Sequence, residues 1–405
     1  MNVLILAPYD KIYPPSNGGM QRTLNLILQI SKYNNVVLLS YQSKEKFIQI
    51  NRDVAWANNI TYVQVPFTEN GRKYGIVNRV FNKLKNALIY RYYTKTILRS
   101  ADINFLNYYP EVNRILKSTP IDIVYIDHFG LLNILPLIKK YAKGFKSIYN
   151  AHNIESHLAF DYFKKNIIRR RTFRNIIKFE KELYKIVDDV WVCSEKDKAA
   201  IEKINKGKLC CISIPNGVKI DNGYKEIYKK EFDIIFCGSM NYQPNKEGLI
   251  WFLDKCWLEL KQRKNDIKLL VIGSGDADEL LNIKLSENGI VFHRNVFDVS
   301  VYYNQSKISI APIFIGSGTR LKILESMAFN VPVVSTSKGA EGIDYTDNQN
   351  ILIADSEAEF IDKIISLVNN DGLKKEISRN AFQLVSDKYN WDGIGVKVNN
   401  RLNSL

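Results

Sequence analysis

Residues 308–336 read ISIAPIFIGSGTRLKILESMAFNVPVVST, and this stretch predicts one strand–helix–strand unit. The apolar, β-branched run Ile308–Ala311 predicts a buried parallel strand, which Pro312 ends. A loop with two glycines follows, then an amphipathic helix over residues 320–329, and Val331–Val334 predicts a second strand. Because ligands of open α/β sheets bind at the carboxyl ends of the strands, the loop before the helix is a candidate ligand site.

The loop and the helix after it carry groups that suit an anion beside a diol. Glycines let the backbone approach a ligand closely, and a helix N-terminus attracts negative charge. Arg320 and Lys322 add two cations, of which Arg320 is expected nearer to solvent, and Glu325 offers a carboxylate one turn later. The candidate loop residues are Gly316, Ser317, Gly318 and Thr319. Phosphate beside a diol indicates a nucleotide, although a plain loop with solvated cations is the alternative for so short a motif.

The whole stretch resembles the corresponding motif of the family 4 (group 1) retaining glycosyltransferases, which have the α/β fold called GT-B. Glu325, Met327–Ala328 and Pro332–Val334 match that motif. The family's first glutamate would fall at position 317, where this chain has Ser317, so the chain follows the branch with GSGTRxKxLE. The resemblance implies two Rossmann-like domains facing a central cleft. It also implies that Glu325 holds the ribose of a nucleotide sugar while Arg320, Lys322 and the loop amides bind its diphosphate.

The chain length predicts two domains, since 405 residues are too many for one hydrophobic core. The resemblance implies an N-terminal, acceptor-side domain over residues 1–222 and a nucleotide-sugar-binding domain over 231–389. The resemblance implies that a last helix, residues 390–405, packs back on the first domain.

The N-terminus predicts a Rossmann-like start, with a strand over Val3–Ala7, then Gly18–Gly19 and a helix over Met20–Ser31. It lacks the glycine fingerprint of dinucleotide sites. In the resembled family this loop lies near the donor phosphates and the acceptor, so Gly19 is a candidate donor-binding residue. A simple helix-entry turn is the alternative.

His152 follows a predicted strand, Ser147–Asn150, within the string AHNIES. That string resembles the family's HN-[IV]-E motif, which implies that His152 lies near the donor sugar. A lone histidine with a structural role is the alternative.

The second predicted domain begins with the strand Asp233–Cys237 and then Gly238. Family members often have an arginine next, but this chain has Ser239 and matches the branch GSM-x-Y-x-P-N. Because it opens this motif, Gly238 is a donor-binding candidate. Residues 291–298 resemble a family stretch whose backbone contacts the nucleobase, so Val296 is a further candidate.

No metal and no cofactor are expected. Asp276 and Asp278 spell the D-x-D of another glycosyltransferase fold, but they follow a Gly-Ser-Gly loop where acids are expected to cap a helix. The five cysteines show no metal-ligand spacing, and this usage favours a reducing cytoplasm.

The net charge of +15 predicts an anionic partner. Residues 71–100 hold eight Lys or Arg and no acid, interleaved with apolar residues, and 164–178 are also basic. This pattern favours an anionic membrane surface or a lipid-linked acceptor, with a solvated face as the alternative. No motif indicates nucleic acid. Neither a signal peptide nor a spanning apolar stretch is expected, so the protein is expected in the cytoplasm, including the inner face of the plasma membrane.

Taken together, the residues and the resemblance predict a retaining glycosyltransferase. We expect it to move a sugar from a nucleoside-diphosphate donor to a glycan or lipid-linked acceptor in cell-surface polysaccharide synthesis. Two alternatives stay open, namely transfer to a soluble acceptor and a non-catalytic partner subunit. The second is motivated by Ser317 and Ser239, where the family's charged residues are missing.

Overall fold

The computed structural model describes most of the chain. Residues outside the description are 11, 14, 16, 44, 46, 49–58, 67–106, 158–169, 221–228, 276–288, 297 and 317, together with the side chains of 170–172. The basic segment 71–100, Asp276, Asp278 and Ser317 therefore lie outside the described residues, as does part of 164–178. The structure divides into two units, residues 1–214 with 395–405 and residues 215–394.

The first unit contains a parallel sheet of seven strands in the order β3-β2-β1-β4-β5-β6-β7. Its strands are β1 Asn2–Leu6, β2 Asn35–Ser40, β3 Ile60–Gln64, β4 Ile123–Ile126, β5 Lys146–Asn150, β6 Asp189–Val192 and β7 Cys210–Ser213. Strand β1 is central, pairing Val3 with Val36 on one side and with Ile123 on the other. Its residues from Val3 to Leu6 are fully buried, as the continuous apolar run predicts for a strand covered on both faces.

Helices accompany this sheet along the chain. They are α1 Gly18–Ser31, α2 Tyr109–Ser118, α3 Leu135–Ile138, α4 Arg170–Lys181 and α5 Glu195–Asn205. Helix α1 begins where the side chain of Asn17 accepts a hydrogen bond from the backbone N–H of Met20 at 3.0 Å, a standard N-cap. This cap brings Gly18 and Gly19 to the carboxyl end of β1.

The second unit contains a parallel sheet of six strands in the order β10-β9-β8-β11-β12-β13. Its strands are β8 Phe232–Cys237, β9 Leu269–Gly273, β10 Ile290–Arg294, β11 Ser306–Ala311, β12 Val333–Ser335 and β13 Leu352–Ile353. Its helices are α6 Gln243–Phe252, α7 Leu258–Arg263, α8 Ser300–Asn304, α9 Leu321–Ala328, α10 Glu357–Asn369 and α11 Asp371–Lys388. A final helix, α12, spans Trp391–Asn403 and crosses the boundary between the units.

Gly248 in α6 fixes the distance between this helix and the exit of β11. A Cβ at position 248 would overlap the carbonyl oxygen of Pro312. Only glycine therefore allows the backbone of α6 to lie directly against the chain that leaves β11, and this contact sets where the following loop begins.

The predicted α/β architecture is confirmed, with differences in detail. The units divide between Ile214 and Pro215, earlier than the expected boundary at residue 222. Residues 395–405 belong to the first unit, where Asn34 donates a hydrogen bond to Asn399 at 2.8 Å and Arg401 pairs with Asp189 at 2.8 Å. The helical stretch after β8 is interrupted, because a π-helical turn over Leu253–Trp257 separates α6, which begins at Gln243, from α7.

None of the helices that the structure describes is both long enough and apolar enough to cross a membrane.

Candidate functional site

In the second unit, the loop between β11 and α9 is held in shape by its glycines and by Arg320. Gly316 and Gly318 have φ of +97° and +83°, a backbone region that residues with a Cβ rarely adopt. The guanidinium of Arg320 donates from Nη1 to the carbonyl of Gly318 at 2.6 Å and from Nη2 to that of Ile315 at 3.3 Å. Arg320 is buried, so the expectation that it lies nearer to solvent is wrong: its forked donors suit the loop carbonyls.

Lys322 lies at the carboxyl end of β8. Its Nζ donates a hydrogen bond to Oδ1 of Asn245 at 2.7 Å and stands 4.5 Å from the ring centroid of Phe236. Burial lowers the pKa of Lys322 to about 8, the neighbouring Arg320 also lowers it, and Cys237 and Glu325 act in the opposite direction. A desolvated cation is therefore held where two neighbouring strands, β8 and β11, end.

Gly238 leaves the space that Lys322 and Asn245 fill. A Cβ at position 238 would stand 2.7 Å from Nζ of Lys322 and 2.7 Å from Nδ2 of Asn245. Asn245 is itself buried, and its Nδ2 donates to the carbonyl of Ser239 at 3.0 Å. Since this bond fixes the amide orientation, the amide oxygen of Asn245 faces Lys322.

Glu325 and Thr319 lie on either side of Lys322 in the sequence. Glu325 is half-buried and lies near Cys237. The pKa of the Cys237 thiol is raised to about 11, first by burial and then by the negative charge of Glu325. The hydroxyl of Thr319 is buried and has no hydrogen-bond partner among the residues that the structure describes. An unpaired buried hydroxyl costs roughly 1 to 3 kcal/mol, which an incoming acceptor such as a phosphate oxygen would offset.

Tyr242 borders the loop, and Val296 lies farther along the same edge of the sheet. An added Cβ on Gly316 would lie 3.0 Å from the hydroxyl of Tyr242, a residue 38% exposed. Val296 packs partly buried against Ile235 and its neighbours in the core, just beyond the carboxyl end of β10. Because the strands are parallel, Val296 lies at the same edge of the sheet as Gly238.

In the first unit, His152 lies next to a buried carboxylate. Its Nε2 is 3.3 Å from Oδ1 of Asp127, and the exposed fractions of the two side chains are 15% and 0%. Asp127 accepts hydrogen bonds from Nδ2 of Asn150 at 2.7 Å and from the hydroxyl of Thr23. A Cβ added to Gly19 would stand 3.6 Å from Nδ1 of His152, so the predicted loop and the predicted histidine do lie together.

Arg22 completes this network from α1. It is 1% exposed, and its Nε and Nη2 both donate to Oδ1 of Asn150, at 3.2 and 2.8 Å, while Nη1 donates to the carbonyl of Ile214 at 2.7 Å. The neighbouring His128 has its Nδ1 occupied by the backbone N–H of Gly130 at 3.0 Å. Burial, and next His152, lower the pKa of His128 to about 4.

Sequence reasoning did not single out several residues of these two clusters. They are Arg22, Thr23, Asp127 and Asn150. Tyr242 and Asn245 belong to the motif GSM-x-Y-x-P-N, but sequence reasoning gave them no role. Asp127 and Asn150 each stand at the carboxyl end of a strand, a position that does carry a signal once the strands are known. Ser317 lies outside the described residues, so its part in the site stays a prediction.

Among the described residues, no group of three or more His, Cys, Asp or Glu side chains could hold a metal ion. Asp276 and Asp278 are not among them, so the expected absence of a metal also stays a prediction.

Comparisons with known proteins bear on both units. Residues 231–370 match the family model described as glycosyl transferases group 1. A relative from Klebsiella pneumoniae, described as an uncharacterized 44.6 kDa protein in cps region, is 25% identical over 96% of this chain and 97% of its own. An uncharacterized glycosyltransferase from Methanocaldococcus jannaschii is 29% identical over 42% of this chain and 45% of its own.

A solved structure with a similar fold is Anabaena HepE in complex with UDP-glucose. It has a TM-score of 0.67 and 14% sequence identity, with 100% of each chain covered. At this identity the likeness concerns the fold alone.

Proposed function

We propose that this glycosyltransferase, which has a group 1 domain and the GT-B fold, transfers a sugar, with retention of configuration, from a nucleoside-diphosphate donor. The observation that carries the proposal is Lys322, a half-buried residue whose desolvated ammonium group is held at the carboxyl end of β8 beside a glycine loop and a helix N-terminus. Such a combination is built to bind a diphosphate.

The other groups of the second unit fit the same donor. Thr319 offers a buried hydroxyl for a phosphate oxygen, and Glu325 offers a carboxylate for the two ribose hydroxyls. Arg320 acts on the loop itself, because its donors hold the carbonyls of Ile315 and Gly318. That HepE has been solved with UDP-glucose supports a nucleotide sugar as the donor.

In the proposed reaction the bond between the anomeric carbon and the diphosphate oxygen breaks while the acceptor oxygen bonds to the same face of the sugar. The acceptor's proton passes to the leaving diphosphate, so the products are the glycosylated acceptor and a nucleoside diphosphate. Lys322 and the amides of the loop offset the negative charge that grows on the leaving group. His152 is assigned the contact with the donor sugar, and the absence of a Cβ at Gly19 leaves space beside its Nδ1.

The acceptor is proposed to be a glycan or a lipid-linked precursor of a cell-surface polysaccharide, handled at the cytoplasmic face of a membrane. The basic, acid-free segment 71–100 and the net charge of +15 support this choice, because anionic lipid surfaces attract such segments.

Thermal denaturation with a panel of nucleoside diphosphates and sugar nucleotides tests the donor. A ligand that binds only the folded state at 100 times its Kd stabilises it by about 2.7 kcal/mol. The wild type should be stabilised by one nucleotide class, and Lys322→Ala should lose that effect. Lys307→Ala is the matched control, since Lys307 pairs with Asp233 at the opposite end of β11.

Release of nucleoside diphosphate from the sugar nucleotide so identified then tests catalysis. Binding without any transfer or donor hydrolysis would favour the non-catalytic partner subunit instead. No stabilisation by any nucleotide would contradict the proposed donor site.

A further inference from the structure

Asp127 is the most buried charged group near the proposed sugar site. It directly follows β4, and its side chain is fully buried, whereas that of His152 is 15% exposed. Three side chains converge on its carboxylate, namely Thr23, Asn150 and His152. Burying a charge is costly unless it is hydrogen-bonded, so this arrangement requires an explanation beyond packing.

The orientation of Asn150 is settled by Arg22. Two guanidinium nitrogens of Arg22 donate to Oδ1 of Asn150, at 3.2 and 2.8 Å. The amide nitrogen therefore faces the other way, toward Asp127, to which it donates at 2.7 Å. The positive charge of Arg22 and the negative charge of Asp127 are thus linked through one amide.

The carboxylate determines which nitrogen of His152 carries the proton. Nε2 lies 3.3 Å from Oδ1 of Asp127 and 3.3 Å from Nδ2 of Asn150. An ionised carboxylate only accepts hydrogen bonds, so this contact favours the tautomer with the proton on Nε2. Nδ2 of Asn150 carries two N–H groups, so it can donate to Asp127 and also to Nε2, and the second bond favours the opposite tautomer. A bond from Nε2 to the charged carboxylate is the stronger of the two, and it sets the preference.

With the proton on Nε2, the Nδ1 of His152 is left as an acceptor. Nδ1 faces Gly19, because a Cβ there would stand 3.6 Å from it. The same position is 3.4 Å from Oδ1 of Asn17 and 3.7 Å from the hydroxyl of Tyr9. Burial, followed by the charge of Asp127, raises the pKa of Tyr9, so this phenol stays neutral. The space above Gly19 is therefore small and lined by polar atoms.

We propose that Asp127 is a positioning residue that holds His152 with its proton on Nε2 and presents the bare Nδ1 as an acceptor for a hydroxyl of the donor sugar. This inference rests on the proposed function of His152 in sugar transfer. Asp127 itself does not touch the substrate. Its contribution is to fix the ring orientation and the tautomer, as a buried carboxylate does for a histidine in other enzymes.

The first test is the wild-type protein alone. The chain has four histidines, so ring ¹⁵N NMR in mildly alkaline buffer resolves them, and His152→Gln identifies the signals of His152. We expect a protonated Nε2 and an unprotonated Nδ1. A proton on Nδ1, in a neutral or a cationic ring, would overturn the proposal whatever the variants do.

Two substitutions of Asp127 separate positioning from stability. Asp127→Ala removes the acceptor and leaves Nε2 facing only the amide of Asn150, so the proton should move to Nδ1 and kcat should fall about tenfold or more, the scale of one lost hydrogen bond. Asp127→Asn can keep its oxygen toward Asn150 and His152, with its nitrogen toward the hydroxyl of Thr23. We expect it to keep the tautomer and most of kcat, and it remains informative if the alanine variant does not fold.

Asp189→Ala is the matched control, because Asp189 is equally buried but pairs with Arg401 and the indole of Trp191 at the start of β6. It should lose stability while its tautomer and kcat stay unchanged. A fall in kcat for Asp127→Ala no larger than in this control would overturn the positioning role. If the tautomer is as expected but His152→Gln transfers sugar normally, the proposed role of His152 fails and the sugar contact fails with it, while the tautomer assignment stands.

Discussion

The side-chain oxygen of Asn245 lies 2.7 Å from Nζ of Lys322, and this contact ties the first turn of α6 to the first turn of α9. These two helices follow neighbouring strands, β8 and β11. The contact holds the lysine in one place at the sheet edge, and the predictions for the donor site follow from that.

Nucleotide affinity should fall as the pH rises through about 8. Burial lowers the pKa of Lys322 to about 8, so the free protein holds this cation below that pH and loses it above. A diphosphate binds the charged form better, and binding therefore weakens once a proton must first be taken up. Calorimetric titration of the identified nucleoside diphosphate on both sides of pH 8 measures this.

The same titration of Lys322→Ala should be weak and nearly independent of pH, whereas Lys307→Ala should follow the wild type. An equally steep pH dependence in Lys322→Ala would assign the titration to another group.

Glu325→Ala should weaken nucleotide binding by at least about tenfold while the protein stays folded. A carboxylate that accepts two ribose hydroxyls makes charge-assisted contacts worth roughly 1.5 to 3 kcal/mol. Calorimetry with the nucleoside diphosphate measures the change, and the exposed Glu376 of α11 provides a control as Glu376→Ala. Unchanged affinity in Glu325→Ala would remove this residue from the donor site.

Alanine substitutions at Gly238 and at Gly19 should both lower activity, but for different reasons. At Gly238 an added Cβ would stand 2.7 Å from Nζ of Lys322, so Gly238→Ala should displace the lysine and abolish most nucleotide binding. At Gly19 the nearest side-chain atoms would be at 3.4 to 3.7 Å, an ordinary contact, so Gly19→Ala should fold normally. Its methyl group would cover Nδ1 of His152 and lower kcat.

Melting temperature, nucleotide affinity and kcat, measured for both glycine variants, distinguish these two reasons. Wild-type kcat in Gly19→Ala would show that the sugar does not approach His152 from this side.

Association with anionic vesicles should depend on the basic segment 71–100. Each basic residue near such a surface contributes about 1 kcal/mol, and salt screens the attraction. Changing Lys83, Lys85 and Arg91 together to Glu should abolish co-sedimentation with phosphatidylglycerol vesicles. A wild-type protein that stays in the supernatant at low salt would argue for a soluble acceptor.

Strand positions were largely predictable because both sheets are parallel and their central strands are buried on both faces. Continuous apolar runs such as Val3–Ala7 and Ile308–Ala311 are the direct consequence of that burial, and both are strands within a residue or two. Strand β13 has only two residues, too few for a periodic signal, and it was not predicted.

The site was predictable where a residue follows a strand within a recognisable string, as with His152 and Lys322. It was not predictable where contacts join distant parts of the chain. Arg22 and Asn150 are 128 positions apart, and no local pattern indicates that their side chains meet. The prediction that Arg320 lies nearer to solvent was wrong for a related reason, because its partners are carbonyls that only the folded loop brings within reach.

The direct contact between Gly248 and Pro312 has a consequence for engineering this enzyme toward other sugars. A side chain at position 248 would break this seam, so a library that varies this position will consist mostly of inactive clones. A few residues away, Phe314 and Ile315 are 40% and 37% exposed, and Tyr242 is 38% exposed. Directed evolution of donor choice should therefore randomise those three positions and leave the seam untouched.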